Sequence, residues 1–182
     1  MRFSLKNEAA ATQRALKILI VFAGLPGVGK TTVAQTLART LAAVYLRIDT
    51  LEQVLTATMG DGVNIGSAGY LAGYAVAKDN LRLGLTVVAD SVNGLHVTRS
   101  AWRNVALEAG VRIFEIELIC SDTTTHRMRV EGRSTDIPGL YLPTWTSVLD
   151  RQYDAWESER LVIDTANVSA EQAVEAIMRR LC

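Results

Sequence analysis

The stretch Gly24-Leu25-Pro26-Gly27-Val28-Gly29-Lys30-Thr31 stands between a six-residue apolar run, Ile18 to Ala23, and a segment of helical period that begins at Val28. No other feature of the chain constrains its fold as much. Glycines at three of these eight positions let the backbone turn sharply from a strand into a helix and bring its amides close to a ligand. The loop N–H groups and the N-terminus of the following helix then gather positive potential, and no side chain blocks the approach of an anion. The spacing fits G-x-x-x-x-G-K-[ST], in which the loop wraps phosphates, Lys30 reaches the β and γ phosphates, and the Thr31 hydroxyl ligates Mg²⁺. Thr32 extends this surface into the first turn of the helix.

Short apolar runs alternate with longer segments of helical period along the rest of the chain. Strands are expected at 16–23, 44–48, 85–89, 111–119 and 161–163. Helices are expected at 28–42, 51–58, 68–83, 97–109, 122–133, 144–156 and 169–181, the last opening with a Ser169/Gln172 capping box. Gly60, Gly62, Gly66 and Gly69 read as a loose connection. This alternation implies an α/β fold: a parallel sheet covered by helices on both faces, with ligands bound outside the carboxyl ends of its strands. A chain of 182 residues with 49% hydrophobic composition suits one domain with a core of its own. Residues 1–14 read as a peripheral segment and 15–182 as the domain.

Charge and composition exclude several classes. Nineteen basic residues balance nineteen acidic ones, which argues against a broad nucleic-acid-binding face. Cys120 and Cys182 form neither a disulfide framework nor a zinc pattern. No apolar run approaches the ~20 residues of a membrane span, and no secretory leader is evident, so the expected location is the cytoplasm. Neither an N-K-x-D nor an L-S-G-G-Q sequence is present, and the third strand ends in Val88-Ala89-Asp90-Ser91 without an Asp-Glu pair.

Two aspartates end strands on the same edge as the glycine loop: Asp49 after the second strand and Asp90 after the third. A carboxylate beside the γ phosphate can accept a proton from an attacking hydroxyl, and a second can hold Mg²⁺. Asp49 is assigned the first role and Asp90 the second, with the roles interchangeable and helix capping as the ordinary alternative for both. Phosphoryl transfer also needs cations over the developing charge, and the segment 126–133 carries Arg127, Arg129 and Arg133. Arg129 and Arg133 lie four apart, on one helical face, and form the expected phosphate-facing pair. Asn93, Arg99 and Arg103 follow the third strand and are candidates to meet an acceptor; Tyr70 and Tyr74 suit either its pocket or the core. His96 reads as a surface or capping residue.

The glycine loop, Arg47-Ile48-Asp49, Val88-Ala89-Asp90-Ser91-Val92-Asn93, the arginines at 127–133 and Ile163-Asp164-Thr165 together resemble the small P-loop kinases of the predicted AAA-type kinase group. These include the 5′-kinase domain of phage polynucleotide kinase, chloramphenicol phosphotransferase, zeta toxins and gluconate kinase. The resemblance spans about residues 16–180. It implies a three-layer P-loop fold with five parallel strands in the order 2-3-1-4-5, Asp49 as the base, Arg129 and Arg133 in a short lid around 122–140, and Thr165 beside the adenine. Where many relatives hold the acceptor with an arginine just after the base, this chain has Glu52 and Gln53, which suits a neutral acceptor better than an anionic one. The expected activity is an ATP- and Mg²⁺-dependent transfer of the γ phosphate to a hydroxyl of a small molecule. The alternatives are a nucleotide-binding regulatory module and, less favoured, a nucleic-acid 5′-end kinase.

Overall fold

The computed structural model describes residues 17–60 and 63–181. The peripheral segment expected at 1–14, the proposed start of the first strand at residue 16, and Cys182 lie outside these.

Five parallel strands form one sheet in the order β2-β3-β1-β4-β5, as the resemblance implies. The central strand β1 (Ile18–Ala23) is buried along its whole length. It pairs with β3 (Val87–Asp90) on one side and β4 (Arg112–Ile119) on the other, with Phe22 opposite both Asp90 and Ile116. An uninterrupted apolar run is what a strand covered on two faces requires. Ile18, Ile20 and Phe22 pack under α1 (Lys30–Leu41) and α7 (Ala170–Leu181). Leu19 and Val21 face the opposite layer, built by α3 (Ala68–Arg82) and α4 (His96–Ala109) around the fully buried Trp102. Each such side chain contributes roughly 1.5–3 kcal/mol by leaving water. The edge strands are β2 (Val44–Arg47), which runs directly into α2 (Ile48–Met59), and β5 (Leu161–Asp164).

The capping box at α7 is present: Ser169 N–H donates to Gln172 Oε1 at 2.8 Å, and Gln172 N–H donates to Ser169 Oγ at 3.2 Å. Tyr74 belongs to the core, edge-on to Trp102 with ring centroids 4.6 Å apart. Gly69 is not in a loose connection but inside α3, where an added side chain would overlap Glu52 of α2.

The largest departure from expectation follows α5 (Thr123–Gly132). The helix expected over 144–156 is only α6 (Trp145–Leu149), and residues 150–158 continue as an extended strap. Tertiary partners claim its side chains. Tyr153 OH donates to Glu117 of β4 at 2.9 Å, and Asp154 accepts the N-terminal amide of α4 from His96 at 2.8 Å. The strap thereby covers the two buried carboxylates of β4, Glu115 and Glu117, which Arg103 and Arg160 neutralise at 2.9 and 2.6 Å. A helix over these residues could not supply those contacts.

Candidate active site

A cavity of about 950 Å³ opens at the carboxyl edge of the sheet. Its floor is the β1–α1 loop. Asp49 and Glu52 of α2 and Asp90 and Ser91 at the end of β3 form one wall, residues 125–143 arch over it, and Thr165 and residues 168–170 close the far end.

The loop conformation depends on its glycines. Gly24 has φ +139°, and a Cβ there would overlap the carbonyl oxygen of Leu118. Gly27 has φ +86° and lies against Val130 of α5. Gly29, at φ 89°, is the left-handed residue just before α1. Pro26, Gly27, Gly29, Lys30, Thr31 and Thr32 line the cavity, whereas Gly24, Leu25 and Val28 support the loop from behind. Lys30 is buried, and its Nζ donates to the Leu25 carbonyl at 2.9 Å. Burial pushes its pKa down to about 8, against the opposing pull of Asp90 and Asp49.

Thr31 Oγ1 donates to Asp90 Oδ2 at 2.8 Å, and Tyr45 OH donates to the same oxygen at 2.8 Å. Burial raises the Tyr45 pKa and the adjacent Asp90 raises it further, so the phenol stays a donor. Asp90 therefore holds the hydroxyl and phenol in place and does not cap α4, whose N-cap is Leu95. Asp49 lies in the first turn of α2, where the N-cap is Arg47. Among the described residues Asp49 makes no side-chain hydrogen bond, and its carboxylate faces the cavity that Lys30 and Arg133 share.

Helix α5 is fixed to the loop rather than hinged over it. Asp122 caps it by accepting from Thr124 and Thr125 N–H. Buried His126 bonds through Nε2 to the Pro26 carbonyl at 2.8 Å and packs edge-on against Trp145. Arg129 and Arg133 both line the cavity, but not as a pair on one helical face: α5 ends at Gly132, and Arg133 follows it in an extended conformation. Arg129 donates to Thr165 Oγ1 at 2.9 Å and to the Thr165 carbonyl at 3.1 Å. Thr165 in turn donates to the Val28 carbonyl at 3.0 Å, tying the fifth strand's turn to the loop. Arg133 is the C-cap of α5; burial lowers its pKa while Asp49 opposes that shift. Arg127 turns to solvent and pairs with Glu131 at 2.9 Å.

Three candidates for the acceptor are elsewhere. Arg99 does not reach the cavity: it is buried, and its guanidinium donates to the carbonyls of Asn93, Gly94, Asp154 and Ala155 at 3.0–3.1 Å. Asn93 is buried behind the wall in a left-handed conformation, φ 45°, with its N–H donated to Tyr70 OH at 3.2 Å. Arg103 is committed to Glu115 and Ser158.

The cavity also contains residues to which the sequence assigned no role in the site. Arg47, Asp136, residues 140–143 and Arg151 line it, as does Glu52, weighed above only for the charge of the acceptor, and Arg47 pairs with Asp136 at 2.7 Å. Glu52 has its pKa raised by burial and by Asp49, while Arg151 opposes both. The 126/129/133 spacing on one helical face was a signal for His126; nothing local marked Tyr45 or Arg151. The hydroxyl of Thr31 beside the carboxylate of Asp90 is a pair of hard oxygen donors that suits Mg²⁺, whose remaining ligands are typically phosphate and water.

The described residues contain no helix long and apolar enough to cross a membrane. Over 167 residues the chain is 28% identical to a replication factor C large subunit of Pyrobaculum arsenaticum, covering 90% of this chain but only 31% of that protein. Over 162 residues it is 26% identical to a probable adenylyl-sulfate kinase of Aeropyrum pernix, covering 86% and 88% of the two chains. The fold is similar to that of the Mycobacterium tuberculosis APS kinase CysC in complex with AMPPNP and APS, with TM-score 0.65, 21% identity and coverage of 90% and 96%. It is also similar to a gluconokinase from Sinorhizobium meliloti, with TM-score 0.63, 20% identity and coverage of 92% and 93%. The profile of the AAA domain family matches residues 19–157, which include the glycine loop, both cavity aspartates and α5. With most of its length matched and this five-stranded nucleotide-binding architecture around the loop, the chain belongs to the AAA domain family, in its group of small P-loop proteins.

Proposed function

We propose that the protein is an ATP- and Mg²⁺-dependent kinase that transfers the γ phosphate to a hydroxyl of a small molecule. The observation that carries this reading is Asp49, a carboxylate without a side-chain partner among the described residues, facing the cavity it shares with Lys30, Thr31, Asp90 and Arg133. The likeness to an adenylyl-sulfate kinase, an APS kinase and a gluconokinase supports it.

In this scheme the loop amides and Lys30 bind the β and γ phosphates, and Arg129 with Thr165 borders the nucleoside. Thr31 and Asp90 would hold Mg²⁺, which would offset phosphate charge. The acceptor oxygen attacks the γ phosphorus, the bond from that phosphorus to the β–γ bridging oxygen breaks, ADP leaves, and the hydroxyl proton passes to Asp49. Arg133 lies over the transferred group as its charge develops.

Kinetics of two variants test the assignment. Asp49→Asn retains ATP binding and loses about 10²-fold or more of acceptor-stimulated ADP release, the span of general-base catalysis. Lys30→Ala weakens nucleotide binding and transfer together. Undiminished turnover in Asp49→Asn overturns the base assignment.

The likeness to a replication factor C large subunit favours a second reading, in which nucleotide controls a protein contact. That reading expects no small acceptor to raise ADP release above slow hydrolysis, and nucleotide to change affinity for a protein partner.

A further inference from the structure

The strap over residues 150–158 and the buried Arg99 are one device. Arg99 donates to two strap carbonyls, Asp154 and Ala155, and to two carbonyls of the β3–α4 connection, Asn93 and Gly94. Its guanidinium also stacks 3.9 Å from the Trp156 ring centroid and 5.0 Å from that of Tyr153. Arg160 approaches the same Trp156 ring at 5.0 Å, so the strap is held between two cations. Asp154 N–H donates to the Gly94 carbonyl at 2.8 Å, and Gly94 is where Tyr153 lies too close to admit a side chain.

This clamp anchors the strap from Tyr153 to Trp156, beginning two residues beyond Arg151, which lines the cavity with Asp49, Glu52 and Arg133. Its neighbours in the fold spend their charge internally: Arg47 on Asp136, Arg103 on Glu115 and Arg160 on Glu117. The Arg151 backbone N–H donates to the Val148 carbonyl at 3.4 Å, but its exposed guanidinium forms no hydrogen bond or ion pair among the described residues. A guanidinium without a partner, lining a cavity next to an anchored segment, is free to make two parallel hydrogen bonds to an oxyanion.

We propose that Arg151 binds an anionic group of the acceptor, a carboxylate, phosphate or sulfo group, so that the preferred acceptor carries an oxyanion as well as the hydroxyl to be phosphorylated. This rests on the kinase reading above. The neutral acceptor inferred from Glu52 and Gln53 took account of α2 alone; the cation comes from the start of the strap, about 100 residues later in the chain. Asp49 and Glu52 repel an anion from their own side and so direct it toward the strap. Arg151 already offsets the charge of Glu52, consistent with a position between that carboxylate and the lid.

The test uses the protein saturated with ADP and Mg²⁺ and three matched pairs: glycerol 3-phosphate with glycerol, D-gluconate with D-glucose, and isethionate with ethylene glycol. Calorimetry or ligand-observed NMR reads binding in wild type, Arg151→Gln and Arg151→Lys. At least one charged member is expected to bind wild type about tenfold or more tightly than its neutral mate, to lose that advantage in Arg151→Gln, and to regain part of it in Arg151→Lys. The pair that responds identifies the anion. Equal binding within every pair, no binding of any charged member, or weakening of charged and neutral members alike overturns the proposal. With an acceptor that turns over, KM for the charged compound rises in Arg151→Gln while kcat holds. A fall in kcat for every acceptor instead assigns Arg151 to the transferred phosphate and overturns the proposal. Arg151-dependent binding without any ADP release supports the oxyanion site and defeats the kinase reading, so the two fail separately.

Discussion

At Lys30, burial and function pull in opposite directions. Without nucleotide its ammonium sits under the loop with one carbonyl as hydrogen-bond partner, and desolvation lowers its pKa to about 8. In the unfolded chain the same group titrates near 10.5. Between these values the unfolded state binds more protons, so stability without nucleotide rises as pH climbs from about 8 to about 10.5, by up to roughly 3 kcal/mol. Comparing urea midpoints of wild type with Lys30→Met over that window isolates this contribution: the difference narrows as pH rises. Phosphates restore a counter-charge and hold the lysine protonated. ADP binding at pH 8 is therefore accompanied by uptake of about half a proton, readable as a dependence of calorimetric enthalpy on buffer ionisation. Absence of uptake, with binding intact, would mean that the ammonium is already fully charged before nucleotide arrives.

Helix α5 and the strap show how elements turn single residues into a site. The α5 face carrying His126, Arg129 and Val130 is bonded or packed onto the glycine loop and Thr165, so any closure over a bound ligand is expected of residues 133–143 and not of the whole helix. The strap depends on Arg99. Arg99→Met removes the guanidinium from four carbonyls, two in buried bonds and two in partly buried ones, and a loss of about 2 kcal/mol or more is expected in the urea midpoint. Hydrogen exchange measures the local effect, with protection falling first over 150–158; a loss spread evenly over the molecule would count against a strap clamp. These elements also mark how far the sequence could be read. Strands such as Ile18–Ala23 were visible because a doubly covered strand must be apolar throughout, and the glycine loop because few other sequences permit its backbone. The strand-end aspartates followed from where parallel sheets bind ligands. The strap was hidden because the helical pattern of 144–156 is local, whereas the partners of Tyr153, Asp154 and Trp156 lie on β4 and α4. The same long-range contacts hid the role of Arg99, which its place after the third strand made a candidate to meet the acceptor. Tyr45 resembled any edge-strand aromatic until β2 was placed beside β3.

Across the whole molecule the equal count of acids and bases conceals a sorted field. Lys30, Arg47, Arg129, Arg133 and Arg151 meet Asp49, Glu52, Asp90 and Asp136 around one cavity, drawn from stretches between residues 26 and 170. The two faces of the sheet have separate apolar clusters, and the carboxyl edge is where loops from both meet. In the proposed function a nucleotide in that cavity would touch the glycine loop, the 125–143 segment and the β5 turn together, and unfolding of any one of them would then release it. Binding to the folded state alone adds RT ln(1 + [L]/Kd), about 2.7 kcal/mol at a hundredfold excess over Kd. For a domain of this size that corresponds to a rise of about 5–11 °C in Tm with a non-hydrolysable ATP analogue and Mg²⁺. The rise should be nearly abolished in Lys30→Ala and reduced in Arg129→Ala, which severs the lid from Thr165 as well as from the ligand. Hydrogen exchange at the same saturation should slow over residues 125–143 and 165–170 as well as at the glycine loop. Protection confined to the loop would mean that phosphate binding does not engage the lid, and that its closure waits for the acceptor.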